Sequence, residues 1–195
     1  VELRVYSYAD MDVAIAQNAV DVVLTNPAHL IQLQHSNSLS APLATMINRA
    51  GEQELTAFGG VIFTRADETG INTLADLAGK RIALAGLGTH ALGNYQMQVL
   101  EMLEAGMEMP GRDSYLLTGP PQDRALDEVL AGRADVGFMR SGVLEDLSRA
   151  GKLDISRIKI INRQNLPAFP LSSSTRLYPE WPVAVMPQFL PSQHF

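Results

Sequence analysis

Ala57-Phe-Gly-Gly-Val-Ile-Phe-Thr-Arg65 reads as a strand with a glycine pair inside it. Paired glycines weaken a strand and mark a bend or a close approach of backbone, so Gly59-Gly60 is the candidate hinge. Beyond it the chain alternates helical and β-rich patterns without a break. Helices are expected at Thr73–Ala78, Ala91–Ala105, Gln122–Ala131 and Gly142–Ala150, and strands at Arg81–Ala85, Ser114–Thr118 and Ala134–Met139. That unit of about one hundred residues is of ordinary domain size. Ile155 to Asn162 is a second β-rich crossing that returns the chain to where it started. Upstream of the hinge, strands at Leu3–Tyr8, Asp21–Asn26 and Ser40–Asn48 alternate with helices at Met11–Asn18 and from Pro27 to about His35. Proline suits a first helical turn because its missing N–H costs no bond there. After Asn165 the chain is proline-rich loop with one short strand at Val183–Met186. The expected fold is α/β with largely parallel sheets, in two lobes. One lobe is residues 1–59 plus 164–195, the other 60–163, and two crossover strands join them.

The chain has 195 residues, of which 46% are hydrophobic, enough for one compact domain or two small lobes. Its net charge is −6, with the acidic residues scattered. That argues against nucleic acid or an anionic membrane as the main partner, because each rewards clustered Lys and Arg. A small anion stays open, since a few local donors can hold one inside an acidic protein. The absence of cysteine excludes disulfides, thiolate nucleophiles and thiolate metal sites. The chain opens at Val1 on a strand-like run and reads as part of a longer polypeptide. No apolar run approaches the roughly 18 residues of a membrane span, so any anchor is expected in flanking segments. There is no Gly-x-Ser-x-Gly, no P-loop and no paired-histidine metal motif, and His29, His35, His90 and His194 do not fall at helical ligand spacing. The expectation is a binding module with no catalytic residues, metal or cofactor.

Several longer motifs carry a resemblance. They are Asp21-Val-Val-Leu-Thr-Asn-Pro-Ala28, Phe58-Gly-Gly-Val-Ile-Phe-Thr-Arg-Ala-Asp67, Leu74-Ala-Asp-Leu-Ala-Gly-Lys80 and Gly132-Arg-Ala-Asp-Val-Gly-Phe-Met-Arg140. Together they resemble the phosphate/phosphonate-type periplasmic binding protein family, of the type II periplasmic binding fold, over nearly the whole chain. Two further strings, Arg140 to Val143-Leu-Glu145 and Ser174-Thr-Arg-Leu-Tyr-Pro-Glu-Trp-Pro182, look like the version used as the extracytoplasmic sensor of membrane histidine kinases. Tetrathionate sensor kinases are similar. The resemblance implies one more strand and helix ahead of Leu3, so the first lobe is expected to be incomplete at its N-terminus. It also implies a tyrosine after the Asn-Pro-Ala turn, where this chain has His29.

Three strand-end loops are the candidate site, because ligands of open α/β sheets bind beyond the carboxyl ends of strands. In Thr25 to His29, Asn26 and His29 can reach a cleft, or Asn26 can close an Asx turn and His29 face solvent. In Leu87-Gly-Thr-His-Ala-Leu-Gly93, the N–H groups of Gly88, Thr89 and His90 can form an anion site at a helix start, or the loop can be a plain capped turn. The resemblance favours ligand contact, because this loop lines the cleft in similar proteins. Arg140 offers a planar fork for an oxyanion beside the Ser141 hydroxyl, or pairs with Asp135 or Glu145. A ligand role predicts that Arg140→Ala leaves stability nearly untouched. Gln122 begins a helix and can shape the pocket. Phe169, Tyr178 and Trp181 read as core or interface aromatics outside it. The expected function is the periplasmic sensing domain of a two-component kinase, binding a small anion and possessing the option of a homodimer. The alternative is the soluble substrate-binding subunit of a phosphonate or oxyanion ABC importer.

Overall fold

The computed structural model describes residues 1–88 and 90–189. Five α-helices are present among them: α1 (Tyr8–Ala16), α2 (Pro27–Ser36), α3 (Met97–Glu104), α4 (Arg124–Leu130) and α5 (Val143–Arg149). The strands are β1 (Val22–Leu24), β2 (Ala44–Thr45), β3 (Asn48–Ala50), β4 (Gln53–Leu55), β5 (Ala57–Phe58), β6 (Gly60–Arg65), β7 (Ile82–Leu84), β8 (Tyr115–Leu117), β9 (Val136–Arg140), β10 (Ile158–Ile161), β11 (Tyr178–Pro179) and β12 (Pro182–Val185). A smaller sheet has the order β1-β12-β2 and a larger one the order β10-β6-β9-β7-β8. Two short ribbons, β3-β4 and β5-β11, lie between them in the chain.

The larger sheet is buried on both faces, which explains the continuous apolar run of β6. Val61 and Phe63 pack with Val129 of α4 and Leu144 of α5. Ile62 faces the other way, with Val99 and Met102 of α3 and with Phe138. Burying each such side chain contributes about 1.5–3 kcal/mol. The smaller sheet rests on Ile15 of α1 and Leu33 of α2, packed with Val23 and Met186.

The two crossings run side by side and antiparallel, with Ile158 opposite Arg65 and Ile161 opposite Ile62. The larger sheet is therefore mixed and the smaller antiparallel, rather than largely parallel. Only β7 pairs in parallel, with β8 and β9; β6 runs against β9, and the smaller sheet is antiparallel throughout. One crossing brings the chain in and the other takes it out, so they must point opposite ways. β12 is central in the smaller sheet, placing Val185 opposite Val22.

Three elements differ from the sequence expectation. Val1 to Ser7 forms no strand, and Leu3 and Val5 are 88% and 92% exposed, because no neighbouring strand lies beside them to take up their backbone groups. Ser40 to Asn48 shortens to the two residues of β2. The helix after β7 opens with a wide π-type turn at Leu92–Gln96 before α3 begins.

Close approach explains several glycines. A Cβ at Gly59 would lie 2.1 Å from Ser173 Oγ, and one at Gly60 would lie 2.6 Å from the amide of Gln98. On β9, a Cβ at Gly137 would lie 2.1 Å from the ring of Phe63. Gly137→Ala is therefore expected to cost about 1–3 kcal/mol, the usual range for overpacking. Gly86→Ala, where nothing lies within 4 Å, is the matched control and should unfold at the wild-type midpoint. Denaturant titration of the two variants checks this.

Candidate functional site

The site begins where β1 hands over to α2. Asn26 caps the helix, its Oδ1 accepting from the His29 N–H at 2.9 Å. Its amide nitrogen donates to the Tyr8 hydroxyl at 2.9 Å and to the His90 carbonyl at 3.4 Å. His29 is fully buried, with Nε2 2.9 Å from Asp12 Oδ1 and Nδ1 2.8 Å from Thr25 Oγ1. A carboxylate only accepts, so Nε2 carries a proton, and in the neutral ring Nδ1 then accepts from the threonine. The Tyr8 ring lies flat against the His90 ring at 4.3 Å, and His29 meets the two edge-on at 4.9 and 4.7 Å. This three-ring seam ties α1 and α2 to the loop after β7. Burial pulls the His90 pKa below its ordinary 6.5, the neighbouring His29 adds to that, and Asp12 opposes it.

A second cluster forms at the end of β9. Ser141 is buried and bound to the crossing: its Oγ accepts from the Gly59 N–H at 3.0 Å, and its own N–H donates to the Gly59 carbonyl at 2.8 Å. Gln122 Oε1 accepts from the Arg140 N–H at 2.8 Å. The Arg140 guanidinium sits 4.2 Å above the Phe58 ring and donates through Nη2 to Glu180 Oε1. Asn48 Nδ2 donates to the same oxygen at 2.8 Å. Glu180 is 1% exposed, and among the described residues its Oε2 has no hydrogen-bond partner. Burial disfavours the charged form of Arg140, and contact with Glu180 works against that shift.

A cavity of about 480 Å³ opens beside this pair. The β3-β4 ribbon and Trp181 wall one side, and Ser141 to Val143 at the start of α5 wall the other. Its volume falls within the usual range for small-molecule sites.

Six of the eight residues singled out in the sequence thus divide into two groups. Arg140 and Ser141 line the cavity, and Gln122 braces Arg140 from behind. Asn26, His29 and His90 meet one another in the seam. Gly88, at φ +91°, closes its own loop, its carbonyl accepting from Gln96 Nε2 at 3.0 Å. Thr89 lies outside the described residues. The three loops do not all open onto one cavity: Asn26 and His29 spend their polar groups on Tyr8, Asp12 and Thr25, and the His90 ring is stacked on Tyr8 with its buried Nδ1 unpartnered among the described residues. The partner of Arg140 is Glu180, not Asp135 or Glu145: Asp135 accepts from the Arg81 N–H and Glu145 from the Ser172 N–H. Sequence reasoning missed Glu180, Asn48, Arg49 and Phe58, and Trp181 lines the cavity instead of lying outside it. The one available signal was a glutamate set between Pro179 and Trp181 in an otherwise apolar stretch.

Two lobes meeting over a cleft, with one mixed and one antiparallel sheet and a paired crossing, define a periplasmic binding protein-like fold. The chain belongs to the family described as ABC transporter, phosphonate, periplasmic substrate-binding protein, whose model matches residues 1–194. It is 30% identical over 178 residues to the tetrathionate sensor histidine kinase TtrS of Salmonella typhimurium. That match covers 91% of this chain and 29% of the kinase. Among solved structures, XAC2383 from Xanthomonas citri bound to ATP is similar at a TM-score of 0.71 and 22% identity, over 97% of this chain and 66% of that one. A binding protein component of an ABC phosphonate transporter from Pseudomonas aeruginosa is similar at a TM-score of 0.63 and 13% identity, over 95% and 57%. A histidine kinase sensor domain with similarity to periplasmic binding proteins follows at 0.53 and 17%, over 95% and 64%.

Two outcomes are expected from these contacts. Arg140→Ala strands a buried carboxylate and should cost about 1–3 kcal/mol, contrary to the expectation of unchanged stability. The double variant Arg140→Ala/Glu180→Gln should regain most of it in the same denaturant titration. For the seam, burial lowers the folded pKa of His90, so its contribution is complete above 6.5 and is lost as pH falls below that value and through the lower folded one. Between about pH 7 and 5, in the histidine range, the wild-type melting temperature should fall faster than that of His90→Phe.

Proposed function

We propose that this chain is the extracytoplasmic, ligand-sensing domain of a two-component sensor histidine kinase, taking a small acidic solute in the cleft between its lobes. The observation that carries this reading is the 30% identity to a sensor kinase along 91% of the chain. The geometry supports it: the Arg140 guanidinium is 22% exposed at the edge of the cavity, held by Phe58 and Glu180, with Nε and Nη1 uncommitted among the described residues. A guanidinium fixed on one side and open on the other suits a carboxylate, sulfonate or phosphonate.

On this reading residues 1–59 and 164–195 form one lobe and 60–163 the other. Ligand draws them together about the two crossings, since hinges need only a few residues that absorb backbone rotation. The closure passes to the kinase through membrane segments outside this chain, with a homodimer as the signalling unit and the periplasm as the site of binding. Among the described residues no helix is long and apolar enough to cross a membrane. A second reading, the soluble binding subunit of an importer, is favoured by the family match along residues 1–194.

A melting screen of phosphonates, sulfur oxyanions and carboxylates tests the binding claim. A true ligand at one hundred times its dissociation constant should add about 2.7 kcal/mol of apparent stability. Arg140→Ala should weaken that ligand roughly ten- to a hundredfold. Ligand-dependent phosphorylation by the parent protein in vesicles separates sensor from importer. A flat screen would sink the anion reading.

A further inference from the structure

We infer that Glu180 is a charge filter, and that the cleft selects acids with a net charge of −1 or zero over dianions. The inference rests on the proposed anion-binding role of Arg140 and deepens it. Glu180 is 1% exposed, lines the same cavity and places its carboxylate against the half-buried Arg140. Its Oε2 accepts no hydrogen bond among the described residues, so half of that carboxylate is not offset by a donor. The other half is spent on Asn48 and Arg140.

The remaining charges around the cavity do not change the balance. Arg49 and Asp146 line it, are each mostly solvent-exposed, and pair outward with Glu54 and Arg149. Two cations and two carboxylates leave the lining neutral overall, with the partly screened pair outside and the desolvated pair inside. One negative charge on a ligand can take the open edge of Arg140. Among the described residues a second meets no lining cation besides Arg49, which is mostly solvent-exposed and paired with Glu54, and it faces the desolvated Glu180 at close range. Repulsion of this kind is how sites reject near-isosteric competitors.

Three sulfonates of similar size and fixed ionisation make the test: taurine, ethanesulfonate and ethanedisulfonate, with tetrathionate beside them. Calorimetry on the wild-type chain should rank taurine or ethanesulfonate above ethanedisulfonate by about tenfold or more. In Glu180→Gln, which keeps the Asn48 contact, ethanedisulfonate and tetrathionate should gain on the other two until that gap closes. Tighter binding of a dianion to the wild type would overturn the filter while leaving the acid-binding cleft intact. So would an equal loss for all four probes in Glu180→Gln, which would make Glu180 only a support for Arg140. If none of the four binds either protein, the acid-binding reading fails and the filter with it. The wild-type ranking needs no variant, so a poorly folding Glu180→Gln would not spare the inference.

Discussion

The crossing at Gly59-Gly60 is held by hydroxyl groups, and the rest of the molecule is arranged around that fact. β10 stops opposite Ile62, so beyond that point the edge of β6 has no strand to bond. The run Ser173-Ser-Thr175 takes over. Ser174 Oγ accepts from the Ile62 N–H at 2.8 Å, Thr175 Oγ1 accepts from the Gly60 N–H at 2.9 Å, and the Ser174 N–H donates to the Gly60 carbonyl at 2.8 Å. Ser141 closes the other side through Gly59. Buried backbone groups must be satisfied, and here side chains replace a ladder. The glycines are required because Ser173 and Gln98 come too close for a Cβ, not because the backbone turns left-handed.

This clamp positions the cleft. Ser141 is fixed to Gly59, so its neighbour Arg140 is fixed beside the crossing, where Phe58 of β5 supports its face. The strand β11 pairs with β5 and sets Glu180 one residue beyond, within reach of Arg140. A buried pair of this kind adds little net stability, because desolvation offsets the attraction, but losing one partner is costly. On the proposed reading, its value lies in holding a guanidinium rigid with one edge open, which would save a ligand the cost of ordering it.

The ring seam is a different contact with a different chemistry. Tyr8 and His29 spend their polar groups internally, on Asn26, Asp12 and Thr25, whereas His90 enters through its ring face and its backbone carbonyl, its buried Nδ1 having no hydrogen-bond partner among the described residues. The seam joins α1 and α2 to the loop after β7, away from the crossing, through well-packed rings. Distant segments therefore meet at two places, one through the Arg140–Glu180 ion pair and the other through packed rings. Only the first lies on the cavity.

Much of the fold was legible because it is written in near neighbours. Asn26-Pro27 announces the start of α2, the apolar run after Gly60 announces a buried strand, and Gly-Arg-Ala-Asp-Val-Gly leads into β9. Hydrogen-bond caps, side-chain period and glycine spacing act over a few residues, so a linear reading captures them. The sequence by itself therefore determined the alternation of elements, the place of the crossing, the family, and Arg140 as a charged group at a strand end. Tertiary structure alone decided that Leu3 and Val5 stay unpaired, that one sheet is mixed and the other antiparallel, that His29 is sealed in a seam, and that Glu180 rather than Asp135 or Glu145 meets Arg140. Strand pairing and buried ion pairs are settled by which distant segments pack together. Forty residues separate Arg140 from Glu180, and no local period spans that distance.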